Sequence, residues 1–282
     1  MTQSIVLPAA PEPIRTRSSS LLAHLKGAVI AGLAMLGATP VMAEIHTETV
    51  EYRQGDQILE GYLAYDTKLT NRPGVVIVHD WMGLAEDSRA RARQMAELGY
   101  VAFAADIYGK GVRPKDAGEA AQMAGAFYKD RALLRARVRA AFDTLAARKN
   151  VNPRKMLAMG YCFGGATVLE LARSGAPVIG VVTFHGGLSN PTPADAANIK
   201  GKVLVLHGAI DPYVKPEEVA QFQKEMNEAK VDYQFHTFPN TVHSFTIKGA
   251  GSDISTGAAY NALSDKRSFA LMKAFFEEVT AD

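Results

Sequence analysis

Hydrophobic and polar positions along the chain change period repeatedly, and each change marks an element. Residues 46–65 read as two strands joined by a turn at Gln54-Gly55-Asp56. Gly74-Val75-Val76-Ile77-Val78-His79 is a short continuous apolar run, the pattern of a strand buried on both faces. A helix is expected from Asp87 to Leu98, stopped by Gly99, and a buried strand from Tyr100 to Ala104. Residues 130–148 put Leu134, Val138, Ala141, Phe142 and Leu145 on one helical face. Strands follow at Met156–Tyr161, Val178–Phe184, Val203–His207 and Tyr233–Phe238, with helices at Ala166–Arg173, 216–229 and 262–279. This alternation predicts an α/β fold, a single mostly parallel sheet of about eight strands flanked by helices on both faces. The stretches 109–129 and 186–199 are expected to cap or rim the site, which in such sheets lies beyond the carboxyl ends of the strands.

The N-terminal residues have a different character. Arg15, Arg17 and Lys26 face one acid, Glu12, and precede an uncharged run from Gly27 to Ala38; Pro40 and Val41-Met42-Ala43 follow. Basic region, short apolar core and small residues form the order of a secretory signal peptide, with cleavage expected after Ala43. The apolar run falls well short of the roughly 20 residues that span a bilayer. The mature protein, residues 44–282, is then exported, periplasmic or secreted, with no stable membrane anchor. Its 239 residues suit one large domain.

Composition narrows the function. A chain that is 48% hydrophobic and 21% charged has ample core residues, which excludes a disordered or collagenous protein. Its single cysteine excludes an intrachain disulfide and a cysteine-based zinc site. The net charge of +2 provides no broad basic surface, so nucleic acid is not an expected partner. Cleavage after Ala43 would leave 28 basic and 28 acidic side chains. The histidines show no metal-ligand spacing, so no metal or cofactor is expected. The Arg89, Arg91, Arg93 run reads as the solvated face of a helix, and His207 as a core residue.

The lone cysteine sits in Gly160-Tyr161-Cys162-Phe163-Gly164-Gly165, between a strand and a helix. This is the pattern of a nucleophile elbow, with cysteine where serine is commoner. Glycines two positions before and after the nucleophile let strand and helix pass closely. The helix N-terminus favours a thiolate, and the amide of Phe163 falls where an oxyanion-hole donor belongs. Taken alone, the motif also fits a buried structural cysteine.

An elbow requires an acid and then a histidine later in the chain. Asp211 follows the strand 203–207, and His243 follows the strand ending at Phe238. Alone, Asp211 also fits a turn residue before Pro212, and His243 a solvent-facing loop. Together they form the ordered set Cys162, Asp211, His243, all at carboxyl strand ends. His243 would take the thiol proton and Asp211 would fix its tautomer.

With these motifs the chain resembles the dienelactone hydrolase family of α/β-hydrolases, from about residue 48 to the C-terminus. The resemblance rests on the segment 160–165, the G-x-x-D ending at Asp211, His243-Ser244-Phe245, and His79-Asp80-Trp81-Met82-Gly83-Leu84. It implies hydrolysis of a lactone or small ester through an acyl-thioester, without metal. It also implies a second oxyanion amide at Trp81 and a carboxylate, Asp80, that tunes the thiol. Two features depart from the family. Asp80 stands where dienelactone-specific members have glutamate, and their substrate-binding arginines fall at Lys110 and Ile247. His185, at another strand end, is expected to line the pocket, and His79 to satisfy a buried hydrogen bond. The expected partner is a small-molecule lactone or ester, acted on by a monomer. The rival readings are a broader esterase, thioesterase or acyl-peptide hydrolase and, in another class, a non-catalytic periplasmic binding protein.

Overall fold

The computed structural model describes residues 43–281, so the cleavage position after Ala43 falls at its very edge and the predicted signal segment before it lies outside the described residues. Strands β1 (Ile45–Gln54) and β2 (Gln57–Asp66) pair antiparallel around Gly55, whose φ of 55° suits a residue without a Cβ. The next strands, β3 (Arg72–Val78), β4 (Val101–Ala105), β5 (Val151–Tyr161), β6 (Gly180–Phe184), β7 (Lys202–Gly208) and β8 (Tyr233–Phe238), run parallel to one another. The sheet order is β1-β2-β4-β3-β5-β6-β7-β8, with β2 antiparallel to β4. From β3 the chain steps to β4 on one side and then to β5 on the other. That reversal opens a crevice at the carboxyl ends of β3 and β5, the place where open α/β sheets bind ligands.

Period-2 patterning divides the apolar residues between two faces. Val76 and Val78 of β3 face a core containing Leu134 and Val138 of α3 (Arg131–Ala146), Val168 of α4 (Phe163–Arg173) and Phe222 of α5 (Pro216–Glu228). Val75 and Ile77 face the opposite core, with Ala92 and Met95 of α1 (Glu86–Glu97) and Met272 and Phe276 of α6 (Ala262–Ala281). The expected helices on both faces are therefore present. Central β4 and β6 are buried throughout, whereas the edge strand β8 is buried only at Phe238.

Two expectations need correction, and one segment holds an element that the pattern did not assign. The segment 109–129, expected to cap or rim the site, contains the helix α2 (Ala117–Lys129). The Asp116 carboxylate accepts the Glu119 amide at 2.9 Å, and the Glu119 carboxylate accepts the Lys115 amide at 2.9 Å, so two otherwise free donors at the helix start are satisfied. The helix after the elbow begins at Phe163 rather than Ala166, directly after Cys162. The arginine run is not fully solvated: Arg91 is half-buried, bonded to Asp265 at 2.9 Å, and lies over the rings of Tyr161 and Phe269. Tertiary contacts with α6, which a helical period cannot reveal, draw it inward.

Behind the elbow lies a buried charge network. Arg173 at the end of α4 bonds Glu225 of α5 through both Nε (2.9 Å) and Nη2 (3.1 Å), and Glu170 at 3.2 Å. Glu170 also accepts Arg135 of α3 at 2.7 Å. These bonds lock three helices together on one face. Removing one partner leaves a buried charge uncompensated, so Glu225→Ala is expected to destabilise the protein by about 3–5 kcal/mol, measured by denaturant unfolding.

Candidate active site

At the end of β5 the backbone enters a conformation that few side chains adopt. Cys162 has φ 54° and ψ −114°, held while its amide donates to the Phe184 carbonyl at 3.0 Å. The flanking glycines make the turn sterically feasible. A Cβ on Gly160 would stand 2.1 Å from the Gly164 carbonyl oxygen, and one on Gly164 would stand 2.2 Å from the Val78 carbonyl oxygen. The Cys162 carbonyl accepts the amides of Gly165 (3.0 Å) and Ala166 (3.3 Å), starting α4 at once. Among the described residues, the amides of Phe163 and Trp81 donate to no protein acceptor. Both are free to bind a ligand oxygen.

The loop carrying Trp81 is pinned from several directions. The His79 ring is fully buried, with Nδ1 2.5 Å from the Asp80 carbonyl and Nε2 3.2 Å from the Ile107 amide. Burial depresses its pKa to about 4, so the ring is neutral; Nδ1–H then donates to the carbonyl and Nε2 accepts the amide. The Tyr108 hydroxyl donates to the Trp81 carbonyl at 2.9 Å, and Arg113 Nε donates to the Leu84 carbonyl at 2.7 Å. Sequence reasoning missed the roles of Tyr108 and Arg113. Neither lies in the loop they hold, and both act through long-range backbone contacts. Asp80 accepts the Met82 amide at 2.8 Å but makes no hydrogen bond to Cys162, and burial raises its pKa.

Asp211 and His243 meet as their order along the chain predicts. His243 Nδ1 lies 2.8 Å from Asp211 Oδ2, and the Asp211 side chain is completely buried. The other Asp211 oxygen accepts the Tyr213 amide at 2.9 Å. The His243 backbone is clamped by residues 257–259: its amide donates to Gly257 at 3.1 Å and its carbonyl accepts Ala259 at 3.0 Å. Burial opposes the imidazolium, but bonds to Asp211 and to the Cys162 sulfur outweigh it and raise the His243 pKa to about 10.

Two predicted pocket residues stand elsewhere. Lys110 pairs with Glu51 and Glu60 on the β1–β2 hairpin, because that hairpin presents two carboxylates to it. His185 is fully buried and cannot touch a ligand; its Nε2 meets Thr246 Oγ1 at 2.8 Å, and its ring lies edge-on beneath His243 at 5.1 Å. Ile247 does line a cleft beside the site.

A strained nucleophile turn, an ordered acid and histidine, and a parallel sheet with a β4–β3–β5 reversal define an α/β-hydrolase. The dienelactone hydrolase family model matches residues 59–280. The chain is 41% identical to the structure of a protein called m3DLH, covering 83% of this chain and 98% of that one, with a TM-score of 0.81. It is equally identical, over the same shares, to a dienelactone hydrolase-like promiscuous phosphotriesterase from metagenomic libraries, with a TM-score of 0.80. Protein usf from Aquifex pyrophilus is 29% identical over 203 residues, 70% of this chain and 86% of that protein. The chain belongs to the dienelactone hydrolase family and is a hydrolase acting on carboxylic ester bonds.

The titration of the buried histidines gives opposite signs. His243 has a folded pKa above the ordinary 6.5, so its contribution to stability is complete below that pH and is lost as pH rises through about 10. His79, depressed to about 4, contributes above 6.5 and loses its contribution as pH falls toward 4. Unfolding free energy is therefore expected to decline from pH 6.5 toward 10, and His243→Gln to flatten that alkaline slope while leaving the acid limb unchanged.

Proposed function

We propose that the protein hydrolyses a lactone or small carboxylic ester through a Cys162–His243–Asp211 triad and an acyl-thioester. The observation carrying this reading is the His243–Asp211 bond of 2.8 Å beside a cysteine in a strained elbow. In the resting pair His243 already holds the thiol proton, and the sulfur attacks the carbonyl carbon. The amides of Phe163 and Trp81 receive the developing oxyanion. Collapse breaks the carbon–oxygen bond, and the His243 proton passes to the leaving oxygen. His243 then activates water, which cleaves the thioester and restores the thiol. Asp211 stabilises the imidazolium throughout. Asp80, on the Trp81 loop and not bonded to the sulfur, is in this reading the carboxylate that tunes the thiol.

A second reading is favoured by the 41% identity to a promiscuous phosphotriesterase. The same sulfur and free amides suit attack on an uncharged phosphotriester. Because Ile247 lines the cleft and Lys110 is paired on the hairpin, no cationic clamp for a substrate carboxylate is formed by these two residues. That favours uncharged substrates in either reading. We further propose export with cleavage after Ala43. Among the described residues no helix is long and apolar enough to cross a membrane.

Incubation with p-nitrophenyl acetate is expected to give burst release and an acetylated Cys162 in rapid-quench mass spectra. Cys162→Ala is expected to lower kcat at least about a thousandfold, in line with losses on removing a triad nucleophile. Full activity in that variant would refute the nucleophile assignment. N-terminal sequencing of the protein purified from its native host is expected to start at Glu44.

A further inference from the structure

The chemistry above asks one imidazole to serve the sulfur, the leaving oxygen and water in turn. A single bond to Asp211 leaves that ring free to rock. Two further rings stand against it. His185 lies 5.1 Å from His243 at 65°, and Tyr213 lies 5.2 Å from it at 74°. Steep contacts at this separation are among those that aromatic rings prefer. His185 is fully buried and Tyr213 is 61% exposed, so one ring comes from the core and the other from the surface.

The core ring is fastened to the loop it supports. His185 has φ 40°, a conformation uncommon outside glycine that histidine tolerates better than most. Its amide donates to the Leu206 carbonyl at 2.9 Å. At the next residue, a Cβ on Gly186 would stand 2.8 Å from Gly165 Cα, so strand end and α4 interlock. The His185 Nε2 meets Thr246 Oγ1 at 2.8 Å, and the Phe245 ring stands 5.1 Å away at 80°. Thr246 and Phe245 both belong to the His243 loop. The buried His185 Nδ1 bonds to no other residue. A hydrocarbon ring would avoid that unsatisfied nitrogen, so what the imidazole adds is its bond to Thr246.

The surface ring is tied to the same pair. The Tyr213 amide donates to Asp211 at 2.9 Å, and its hydroxyl donates to the Thr256 carbonyl at 3.4 Å. Gly257, with φ 82°, closes on it: a Cβ there would stand 2.8 Å from Pro212 Cγ and 3.4 Å from the Tyr213 hydroxyl oxygen. The Gly257 carbonyl in turn takes the His243 amide at 3.1 Å. An exposed tyrosine buries little area of its own. Its contribution lies in what it covers, the His243 ring and the Asp211 bond behind it, and a hydrogen bond kept from water is the stronger for it.

We propose that His185 and Tyr213 are positioning residues that clamp the His243 ring, His185 from the core through Thr246 and Tyr213 from the surface as a shield over the bond to Asp211. Neither forms or breaks a bond in the reaction. The kinetic part of the proposal rests on the triad reading.

Tyr213→Ala removes an exposed ring and keeps the backbone bond to Asp211, so the variant is expected to fold. With p-nitrophenyl acetate its kcat is expected to fall about tenfold while KM stays within about twofold, through loss of an aromatic contact and of orientation. Tyr213→Phe keeps the ring and loses only the 3.4 Å bond, and is expected to recover to within about threefold of the unaltered rate. His185→Asn keeps a side chain that tolerates φ 40° but has no ring, and is expected to lose a similar factor in kcat. Proton NMR of the His243 Nδ1–H reads the shield directly: its exchange with water is expected to quicken at least about tenfold in Tyr213→Ala and to stay slow in Tyr213→Phe.

Unchanged kcat in either ring deletion, or failure of Tyr213→Phe to recover, overturns the clamp. So does a rise in KM with kcat unchanged, which would make Tyr213 a substrate contact. An Nδ1 proton that exchanges no faster in Tyr213→Ala overturns the shield. No turnover by the unaltered protein overturns the triad reading instead, and the exchange measurement still decides the clamp. If His185→Asn misfolds, the Tyr213 pair decides.

Discussion

The backbone of Cys162 is the constraint on which the rest of the molecule depends. A side-chain-bearing residue at φ 54° and ψ −114° is strained, by about 1–3 kcal/mol for such conformations. It persists because its surroundings permit nothing else. The Phe184 carbonyl holds its amide, two glycines admit backbone atoms where a Cβ would collide, and α4 begins at the next residue. The buried Arg173–Glu225–Glu170–Arg135 network ties that helix to its neighbours and keeps the turn from relaxing.

Around this turn the protein places histidines in opposite electrostatic roles. His79 and His185 are fully buried and held neutral by desolvation, which suits them to fixing loops. His243 is almost as deeply placed, yet a completely buried carboxylate and a sulfur keep it charged. One residue type is thus neutral structural support at two positions and half of a charged pair at a third. The partner decides which.

Much of this is legible in the sequence. Period-2 and period-3.6 patterns located the strands and most helices, and the order of Cys162, Asp211 and His243 at strand ends foretold which side chains converge. What escaped notice has common physical causes. In the helix α2 only Met123, Phe127 and Tyr128 are large side chains of apolar character, although Asp116 and Glu119 carry a capping signal. The family resemblance places Lys110 in the pocket, and its position at a strand end places His185 there. The carboxylates of the hairpin and the depth of the core put them elsewhere.

The sequence by itself determined the α/β alternation, the elbow with its obligatory glycines, and the order of Cys162, Asp211 and His243 at strand ends. These follow from local sterics and from the fixed direction of parallel strands, both written in short segments of chain. Only the tertiary structure decided how the Trp81 loop is pinned by His79, Tyr108 and Arg113, how Arg91 and Asp265 neutralise each other, and where the cleft opens. Each of those depends on residues brought together from distant elements, and distance in space is not encoded in the period of any one of them.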